Sequence, residues 1–536
     1  MKNVKLLSAV ALCSILSITG CKKGGGQKVD ETKAQLQVST FEGGVGDQWL
    51  RNAAKLFEEK NKDRTDFKDG RVGVQIHITS DRSSSGESLK YSDLNKDIYF
   101  TENVDYYYLT NNNKFADITD ILTTPNPEDD NKKIIDKIDE NLVSYMDRDG
   151  KYYAVPFYDC FYDLIYDKDL FKQKSFYMTN DGQFTNQPSQ FGTGPNGVAG
   201  DWDDGLPKTY AQFKTMMARM VSMQVIPFTY SNGNATEYPP RSLVSWWSDD
   251  EGYEQTNLNY NFNGLAKNIV TSFDASGNPI TEQVQITKDN GYKLRGQKGL
   301  YNALYFAREI LCSSSNNYRP YSTNYDVQDA FINNKYQGGS TKPIAMMFEG
   351  TWWENEAAES FEYARSMGVD EFNYGLMPIP KSDESKVGED ATFMNLNESF
   401  GFISASSKNM KLAKEFFSYL HTDDSLRAFT IETNMTRGLN YNFNDADMNK
   451  ITSYAQDLIA IKQSEHAKVV YPYSGLDFFV NNGATFAIQE WAWGTTDYTN
   501  NPIIKFIDNS DVTAQMFFTD HRDMLKASEW ARMIDE

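Results

Sequence analysis

The succession of a strand, a helix and a second strand near the amino terminus constrains the fold more than any other feature of the sequence. Residues 36–41 alternate apolar and polar side chains, and residues 72–80 do so again, with Val72 at the start of the apolar face. Between them, residues 47–61 place apolar side chains three and four positions apart, which indicates an amphipathic helix that begins at Asp47. Strands joined by a helix run parallel, so we expect an α/β protein with a parallel sheet.

The rest of the chain repeats this pattern, and 536 residues exceed what one hydrophobic core usually serves. Two or more lobes are therefore expected. Further elements are predicted as a third strand at 97–100, a tyrosine-rich strand pair at 151–171, helices at 207–222 and 409–424, and a buried strand at 342–350. Two stretches, 174–205 and 250–297, are rich in Asn, Gly, Asp and Gln and are predicted to be loop-rich surface insertions.

The first 35 residues read as an export signal followed by an anchor. Two lysines precede a short apolar run, and residues 1–20 end with a glycine directly before Cys21. This ending resembles a bacterial lipobox, in which the cysteine carries the lipid, and residues 21–35 then form the anchor and a flexible tether. The alternative is an ordinary signal peptide with an incidental cysteine. We favour a chain that is exported and lipid-anchored to the outer face of the bacterial cytoplasmic membrane.

The net charge of the chain argues against two classes of partner. A formal charge of −21 argues against nucleic acid and against an anionic membrane surface, because both would repel the chain.

Cys160 and Cys312 could form a disulfide in an oxidising compartment or remain buried thiols, and we favour the thiols. The four histidines are scattered without metal-ligand spacing, so no metal is predicted.

No catalytic constellation emerges from the sequence. The glycines at 43–46 invite a dinucleotide-binding interpretation, but Trp49 stands where the motif needs its last glycine. Residues 201–205 lack the ligand spacing of a calcium loop and are predicted to form a solvated turn. Carboxylates are so numerous that some pair would lie at glycosidase distance by chance. No catalytic residue and no cofactor are therefore assigned.

Two adjacent tryptophans, Trp352 and Trp353, follow the buried strand. Gly350 is predicted to turn the chain, and Thr351 with Glu354 forms a capping-box pattern that would start a helix at Thr351. Successive helical residues point about 100° apart, so the two indoles cannot share a direction. Open α/β sheets bind ligands at the carboxyl ends of their strands, where this pair lies. We expect Trp352 to face a cleft and Trp353 to face packed protein or the lobe surface.

Aromatic residues beside polar ones recur in segments predicted to be loops. The pairs are Trp246 with Trp247, Trp491 with Trp493, and Tyr158 with Tyr162. A sugar stacks its C–H face on an aromatic ring and needs polar partners for its hydroxyls, so this pattern suits a carbohydrate. Core packing is the better interpretation of any single tryptophan. For the set, we expect at least one member to line a cleft.

Five segments in order, 149–171, 206–213, 329–353, 374–381 and 407–420, carry a family resemblance. They resemble the carbohydrate-binding lipoproteins of bacterial ABC importers, the extracellular solute-binding family that includes maltose-binding protein. The sequence departs from the family pattern at 333–347, where the family has a tight turn, and in the two insertions. The resemblance covers most of the chain that follows the anchor.

The resemblance implies a two-lobed, type II periplasmic-binding-protein-like α/β fold with a hinge and an interlobe cleft. Lobe 1 would comprise 36–148 plus about 375–425, and lobe 2 would comprise 149–374 plus about 426–536. Residues expected to contact the sugar are Phe41, Glu42, Tyr158, Asp159, Tyr230, Asn232, Trp246, Trp247, Glu349, Trp352, Asn397, Glu398, Trp491 and Trp493. Ser399 adjoins this set at the start of a strand that returns to lobe 1.

The function expected from the sequence is capture of a carbohydrate, in particular an oligosaccharide, without a chemical step. The partners would be the transmembrane subunits of an ABC permease, and the receptor would be a monomer. The membrane would be contacted through the lipid anchor only, and no nucleic acid would bind. Two alternatives stay open: a surface glycoside hydrolase that uses two carboxylates, and a receptor that senses sugar or adheres.

Overall fold

Two five-stranded sheets with helices packed beside them form the framework of the chain. The computed structural model describes residues 28–233, 235, 238–313, 317–334, 342–396, 399–482 and 502–535. Its strands are β1 (Ala34–Phe41), β2 (Val74–Asp81), β3 (Ile98–Thr101), β4 (Ala154–Pro156), β5 (Tyr162–Asp167), β6 (Tyr177–Met178), β7 (Phe184–Thr185), β8 (Ile226–Thr229), β9 (Gly264–Phe273), β10 (Pro279–Ile286), β11 (Asn317–Tyr318), β12 (Ile344–Gly350), β13 (Tyr374–Leu376), β14 (Ala391–Met394), β15 (Phe400–Ile403) and β16 (Ala467–Val470).

The α-helices pack around these sheets. They are α1 (Gln48–Lys60), α2 (Gly86–Tyr91), α3 (Tyr106–Asn111), α4 (Thr119–Thr123), α5 (Glu140–Met146), α6 (Lys168–Lys174), α7 (Tyr210–Ser222), α8 (Tyr238–Glu251), α9 (Tyr253–Asn261), α10 (Lys298–Ile310), α11 (Asn324–Asn333), α12 (Trp353–Glu356), α13 (Ala358–Ser366), α14 (Met410–Tyr419), α15 (Asp423–Thr433), α16 (Asp445–Met448), α17 (Ser453–Gln463), α18 (Asp477–Asn482), α19 (Pro502–Asp508), α20 (Ala514–Asp523) and α21 (Ala527–Asp535). Within the described ranges, no helix is both long and apolar enough to span a bilayer.

The first sheet has the order β2-β1-β3-β15-β4 and defines the first lobe. Strands β1, β2 and β3 are parallel, and α1 connects β1 to β2, which confirms the predicted strand–helix–strand unit. Helix α1 buries Leu50 and Phe57 on the face that its apolar spacing predicts. The prediction was wrong for Val72, which is half exposed because β2 begins only at Val74.

The second sheet has the order β11-β8-β12-β5-β13 and defines the second lobe. All seven residues of β12 are buried, as the sequence predicts for 342–350. The tyrosine-rich pair predicted at 151–171 does not pair with itself: β4 belongs to the first sheet and β5 to the second. Strand β13 also pairs in the second sheet, and the chain rejoins the first sheet at β15. The return therefore lies later than position 375.

Over the residues that the structure describes, the chain passes between the lobes at three places that lie close together. The first lies between β4 and β5, the second between β14 and β15, and the third after α15, which packs on α1 of the first lobe. Tyr158 of the first crossing forms a bridge with Arg437 of the third. We call residues 157–161, 395–399 and 434–440 the hinge crossings.

The predicted insertions are more ordered than expected. Residues 250–297 include α9 and the antiparallel hairpin β9–β10, which pack against α18 and α21 in a separate apolar cluster that contains Phe262 and Trp530. Within 174–205 lies the small β6–β7 pair. The turn at 201–205 is not solvated throughout, because Asp203 is fully buried and accepts a hydrogen bond from the backbone N–H of Asn196. Burial raises the pKa of Asp203 to about 8.

Candidate functional site

The carboxyl ends of strands from both sheets meet at one cleft between the lobes. In the first lobe, β1 ends at Phe41 and β3 ends at Thr101. In the second, β12 ends at Gly350, directly opposite Tyr162 at the start of β5. Loops that follow these strand ends touch across the lobes. Their residues therefore form the candidate site, at the position where α/β sheets bind ligands.

Trp352 lies at the centre of this contact. It is the residue before α12, and its indole is nine-tenths buried. The Tyr162 ring packs edge-on against it, with ring centroids 5.0 Å apart. Two glycines allow the close packing: a Cβ added at Gly350 would lie 2.5 Å from Cζ2 of the indole, and one added at Gly44 would lie 2.7 Å from its Cγ. The indole is thus held between the two lobes.

The local structure around this tryptophan differs from the predicted capping box. The Thr351 hydroxyl donates to the carbonyl of Asp159 (2.9 Å), and Glu354 accepts from the Thr452 hydroxyl, so neither side chain caps the helix. Helix α12 begins at Trp353 instead. Trp353 is fully buried among aromatic rings of the second lobe, which confirms that it faces packed protein.

The first lobe contributes Phe41, Glu42 and a carboxylate at the end of β3. The Tyr158 hydroxyl donates to Glu102 Oε1 (2.6 Å), and burial raises the pKa of this tyrosine well above its ordinary value. A Cβ added at Gly43 would lie 3.1 Å from the same Glu102 oxygen and 3.1 Å from the Phe41 ring. Phe41, Glu102 and the buried Tyr158 therefore converge, while Glu42 is exposed at the strand end.

The second lobe contributes a cation. The Arg241 guanidinium of α8 lies 4.8 Å from the centroid of the Tyr162 ring and donates to the Tyr162 hydroxyl (2.8 Å). Tyr162 therefore contacts both Arg241 and Trp352. Cys160 is fully buried nearby, and both Cys160 and Cys312 are free thiols; the prediction of buried thiols is confirmed for Cys160, while Cys312 is only partly buried.

Glu349, one of the predicted site residues, is part of a buried polar cluster beneath Trp352. The side-chain amide of Gln328 donates to Glu349 Oε2 (3.0 Å) and to Glu356 Oε2 (2.8 Å). Burial raises the pKa of Glu349 to about 8, and the neighbouring Glu356 carboxyl acts in the same direction. This cluster connects β12, α11 and α12 behind the indole.

The carboxylate of Asp159, predicted to contact the ligand, lies in the hinge. It accepts from the Lys462 ammonium (2.7 Å) and the Thr436 hydroxyl (2.8 Å), and the Asn395 amide donates to its other oxygen (3.5 Å). Thr436 and Asn395 belong to the other two hinge crossings. Asp159 is almost wholly buried, so its side chain joins the three crossings and faces them.

The remaining predicted site residues lie in different elements and differ in burial. Trp246 and Trp247 lie inside α8 and not in a loop, so that part of the prediction was wrong; both are buried, and the Trp246 indole donates to Asp163 Oδ1 (3.2 Å). Tyr230 is buried against Phe348, and Asn232 is exposed and donates to the Arg319 carbonyl. Cys21, Asn397, Glu398, Trp491 and Trp493 lie outside the described residues.

Four residues of the cleft escaped the sequence reasoning. Glu102 follows a predicted strand end, so the logic that selected Phe41 and Glu42 would have found it. Arg241 lies in a helix, and its position depends on tertiary packing. Gln328 and Glu356 are a helix-interior amide and one acidic residue among many, so spacing gives no signal for either.

The arrangement brings together aromatic rings, hydrogen-bond donors and carboxyl acceptors from two lobes. Such a lining matches a ligand with an apolar face and many hydroxyls. Across the described ranges, no group of three or more His, Cys, Asp or Glu side chains is arranged to hold a metal ion.

Comparison with protein families identifies the class to which the chain belongs. The family model of the bacterial extracellular solute-binding proteins matches residues 48–425. No curated protein matches the chain.

Solved structures show the fold. The raffinose complex of the solute-binding protein RafE, known from Streptococcus pneumoniae, has a TM-score of 0.55 and 12% identity over 94% of this chain and 100% of its own. The cyclic alpha-maltosyl-1,6-maltose binding protein of Arthrobacter globiformis has a TM-score of 0.52 and 13% identity over 94% and 100%. The GacH receptor of Streptomyces glaucescens, solved without ligand and with acarbose, has a TM-score of 0.51 and 12% identity over 94% and 99%.

Proposed function

The chain belongs to the bacterial extracellular solute-binding protein family, a family of receptors and not of enzymes, and from that premise we propose that it binds an oligosaccharide and delivers it to an ABC permease. The observation that carries the proposal is the position of Trp352. Its indole lies between the lobes at the carboxyl ends of the strands, beside Tyr162 of the second lobe and against Gly44 of the first. Stacking on an aromatic ring is how a protein recognises the apolar face of a sugar.

The choice of carbohydrate has support from the structural neighbours. RafE is solved with raffinose, GacH with acarbose, and the Arthrobacter protein binds a cyclic maltosyl-maltose. These three ligands all contain several sugar rings. An oligosaccharide would also match a cleft in which residues from both lobes converge, because each lobe can hold a different part of the ligand.

We further propose that the receptor is a monomer attached to the outer face of the cytoplasmic membrane through lipidated Cys21. The support is the sequence that precedes this cysteine and the polar tether after it. The lipid is then the only membrane contact. Labelled palmitate should enter the wild-type protein in the native host and be absent from a Cys21→Ser variant. Incorporation into both proteins would exclude this anchor.

Calorimetric titration of the purified protein with mono-, di- and oligosaccharides tests the main proposal. We expect saturable binding of at least one oligosaccharide at one site per chain, without product formation on prolonged incubation. Trp352→Ala should remove that binding. Binding of peptides or amines with no response to any sugar would exclude the proposed substrate class, and sustained release of reducing sugar would exclude a pure receptor.

A further inference from the structure

A buried side-chain amide connects the candidate site to the interior of the second lobe. Gln328 lies in α11 and is fully buried. Its two amide hydrogens are directed to two different carboxyls, Glu349 at the end of β12 and Glu356 in α12. The amide oxygen of Gln328 has no hydrogen-bond partner among the described residues. Both amide hydrogens of Gln328 are therefore engaged in hydrogen bonds, and its amide oxygen is not.

The second carboxyl of the pair adjoins the tryptophan. Glu356 follows Trp352 by four residues, and its backbone N–H donates to the Trp352 carbonyl (3.0 Å), so the two side chains lie one above the other. Burial raises the pKa of Glu356, while the neighbouring Gln328 amide and Trp352 side chain lower it. The indole thus lies beside a carboxyl whose own position depends on Gln328.

The other groups that face this cluster reinforce the same geometry. The Tyr238 side chain of α8 lowers the pKa of Glu349, against the larger effect of burial, and the Gly350 backbone N–H donates to its Oε1 (3.0 Å). Arg82 of the first lobe is a nearby cation that favours the charged form of Glu356. Without the Gln328 donor, two adjacent carboxyls would lack a shared partner, and Glu356 would turn towards solvent and Arg82.

We infer that Gln328 is a positioning residue for carbohydrate binding: through Glu356 it fixes the edge of the Trp352 indole and so sets the plane on which a sugar ring stacks. The inference rests on the proposed function only in taking the ligand to be a carbohydrate. The positioning of the indole follows from the contacts themselves. Gln328 touches no ligand and acts through Trp352.

The first experiment needs no ligand. In the ¹H–¹⁵N spectrum of the full chain, the indole N–H signal of Trp352 is the one that disappears in Trp352→Phe. We expect this signal to shift in Gln328→Met, which keeps the side-chain length and loses both donors, and to stay in place in Gln515→Met, a matched change on the exposed face of α20. An unmoved Trp352 signal in Gln328→Met would overturn the inference whatever the protein binds.

The second experiment measures oligosaccharide affinity in a double-mutant cycle with Trp352→Phe, which keeps a ring but removes the N–H. Loss of the buried donor should weaken binding about tenfold in the wild-type background and less than twofold in Trp352→Phe. Equal losses in both backgrounds, or no loss in either, would overturn the inference. If Gln328→Met does not fold, Glu356→Met replaces it in both experiments with the same expectations. Absence of sugar binding by the wild type would count against the proposed function alone, since the spectrum has already decided the positioning.

Discussion

The backbone of Gly44 in the first lobe lies against the indole of Trp352 in the second. A Cβ at position 44 would approach Trp352 Cγ to 2.7 Å, closer than packed atoms come, and the Asn355 side chain donates to the Gly44 carbonyl. Gly44, one of the glycines after β1 that fail as a dinucleotide motif, thus has a structural reason. It lets the two lobes approach each other at the tryptophan.

Gly44→Ala should favour a more open arrangement of the lobes. The added methyl group must displace either the first-lobe loop or the indole, so we expect a larger radius of gyration in X-ray scattering of the sugar-loaded protein and about tenfold weaker binding. Gly43→Ala is the control for the scattering measurement, because its Cβ would meet only first-lobe side chains, at 3.1 Å, and no residue of the second lobe. Equal effects of the two changes would show that the Gly44 contact is not special.

The two adjacent tryptophans should separate binding from stability. Trp352→Ala should abolish or strongly weaken sugar binding and should cost less stability than Trp353→Ala, because the Trp352 indole packs between the lobes and the Trp353 indole packs inside one of them. Trp353→Ala empties a fully enclosed site and should lower the free energy of unfolding by about 3–5 kcal/mol. Titration calorimetry and chemical unfolding measure the two effects. A larger loss of affinity in Trp353→Ala than in Trp352→Ala would reverse the assignment.

Much of the fold follows from local patterns in the sequence. The apolar periodicity of α1 and the continuous apolar run of β12 each identify an element whose buried face the structure reproduces. The strand ends at Phe41 and Gly350 then locate the cleft, because parallel strands gather their carboxyl ends at one edge. These inferences need only the residues within one element.

What the sequence missed depends on contacts between distant segments. Asp159 and Lys462 are 303 positions apart, and their ion pair places the Asp159 carboxylate in the hinge, a position that local spacing gives no sign of. Trp246 was assigned to a loop, yet it lies in a helix that is buried along most of its length. The spacing of apolar residues identifies a helix that is buried on one face, and α8 is buried on almost every face.

The stability of the protein should depend on pH through Glu349. Burial, with Glu356 alongside, raises the pKa of Glu349 from 4.5 to about 8, so the folded state holds a proton that the unfolded chain releases above pH 4.5. Its contribution is fully present below pH 4.5 and is lost as pH rises through about 8. The free energy of unfolding should therefore fall by about 1.4 kcal/mol per pH unit across that interval for this group.

Glu349→Gln isolates this contribution from those of other buried carboxyls, because the amide keeps an acceptor for Gln328 and cannot ionise. Relative to wild type, the variant should become progressively more stable between pH 5 and pH 8 in urea unfolding. Glu359→Gln, on the exposed face of α13, should run parallel to wild type. Parallel curves for Glu349→Gln as well would contradict the assignment.

The Asp159–Lys462 ion pair should set the stability of the hinge and not the contacts of the sugar. Asp159→Asn keeps the size of the side chain but removes the charge that lies 2.7 Å from Lys462, and it leaves a largely buried ammonium without its counter-ion. We expect a loss of about 3–5 kcal/mol in the free energy of unfolding, measured by urea denaturation. Asp66→Asn breaks the exposed pairs with Lys411 and Arg64, and it should change the free energy of unfolding far less because solvent screens both pairs.

The charge-neutral double variant Asp159→Asn with Lys462→Met distinguishes the hinge role from a ligand role. If the carboxylate serves the hinge, removal of the now unpaired ammonium should recover a large part of the lost stability, and sugar affinity should return with it. If the carboxylate instead contacted the sugar, affinity would stay low in the double variant while stability recovered. Calorimetry and unfolding on the same three proteins decide between these outcomes.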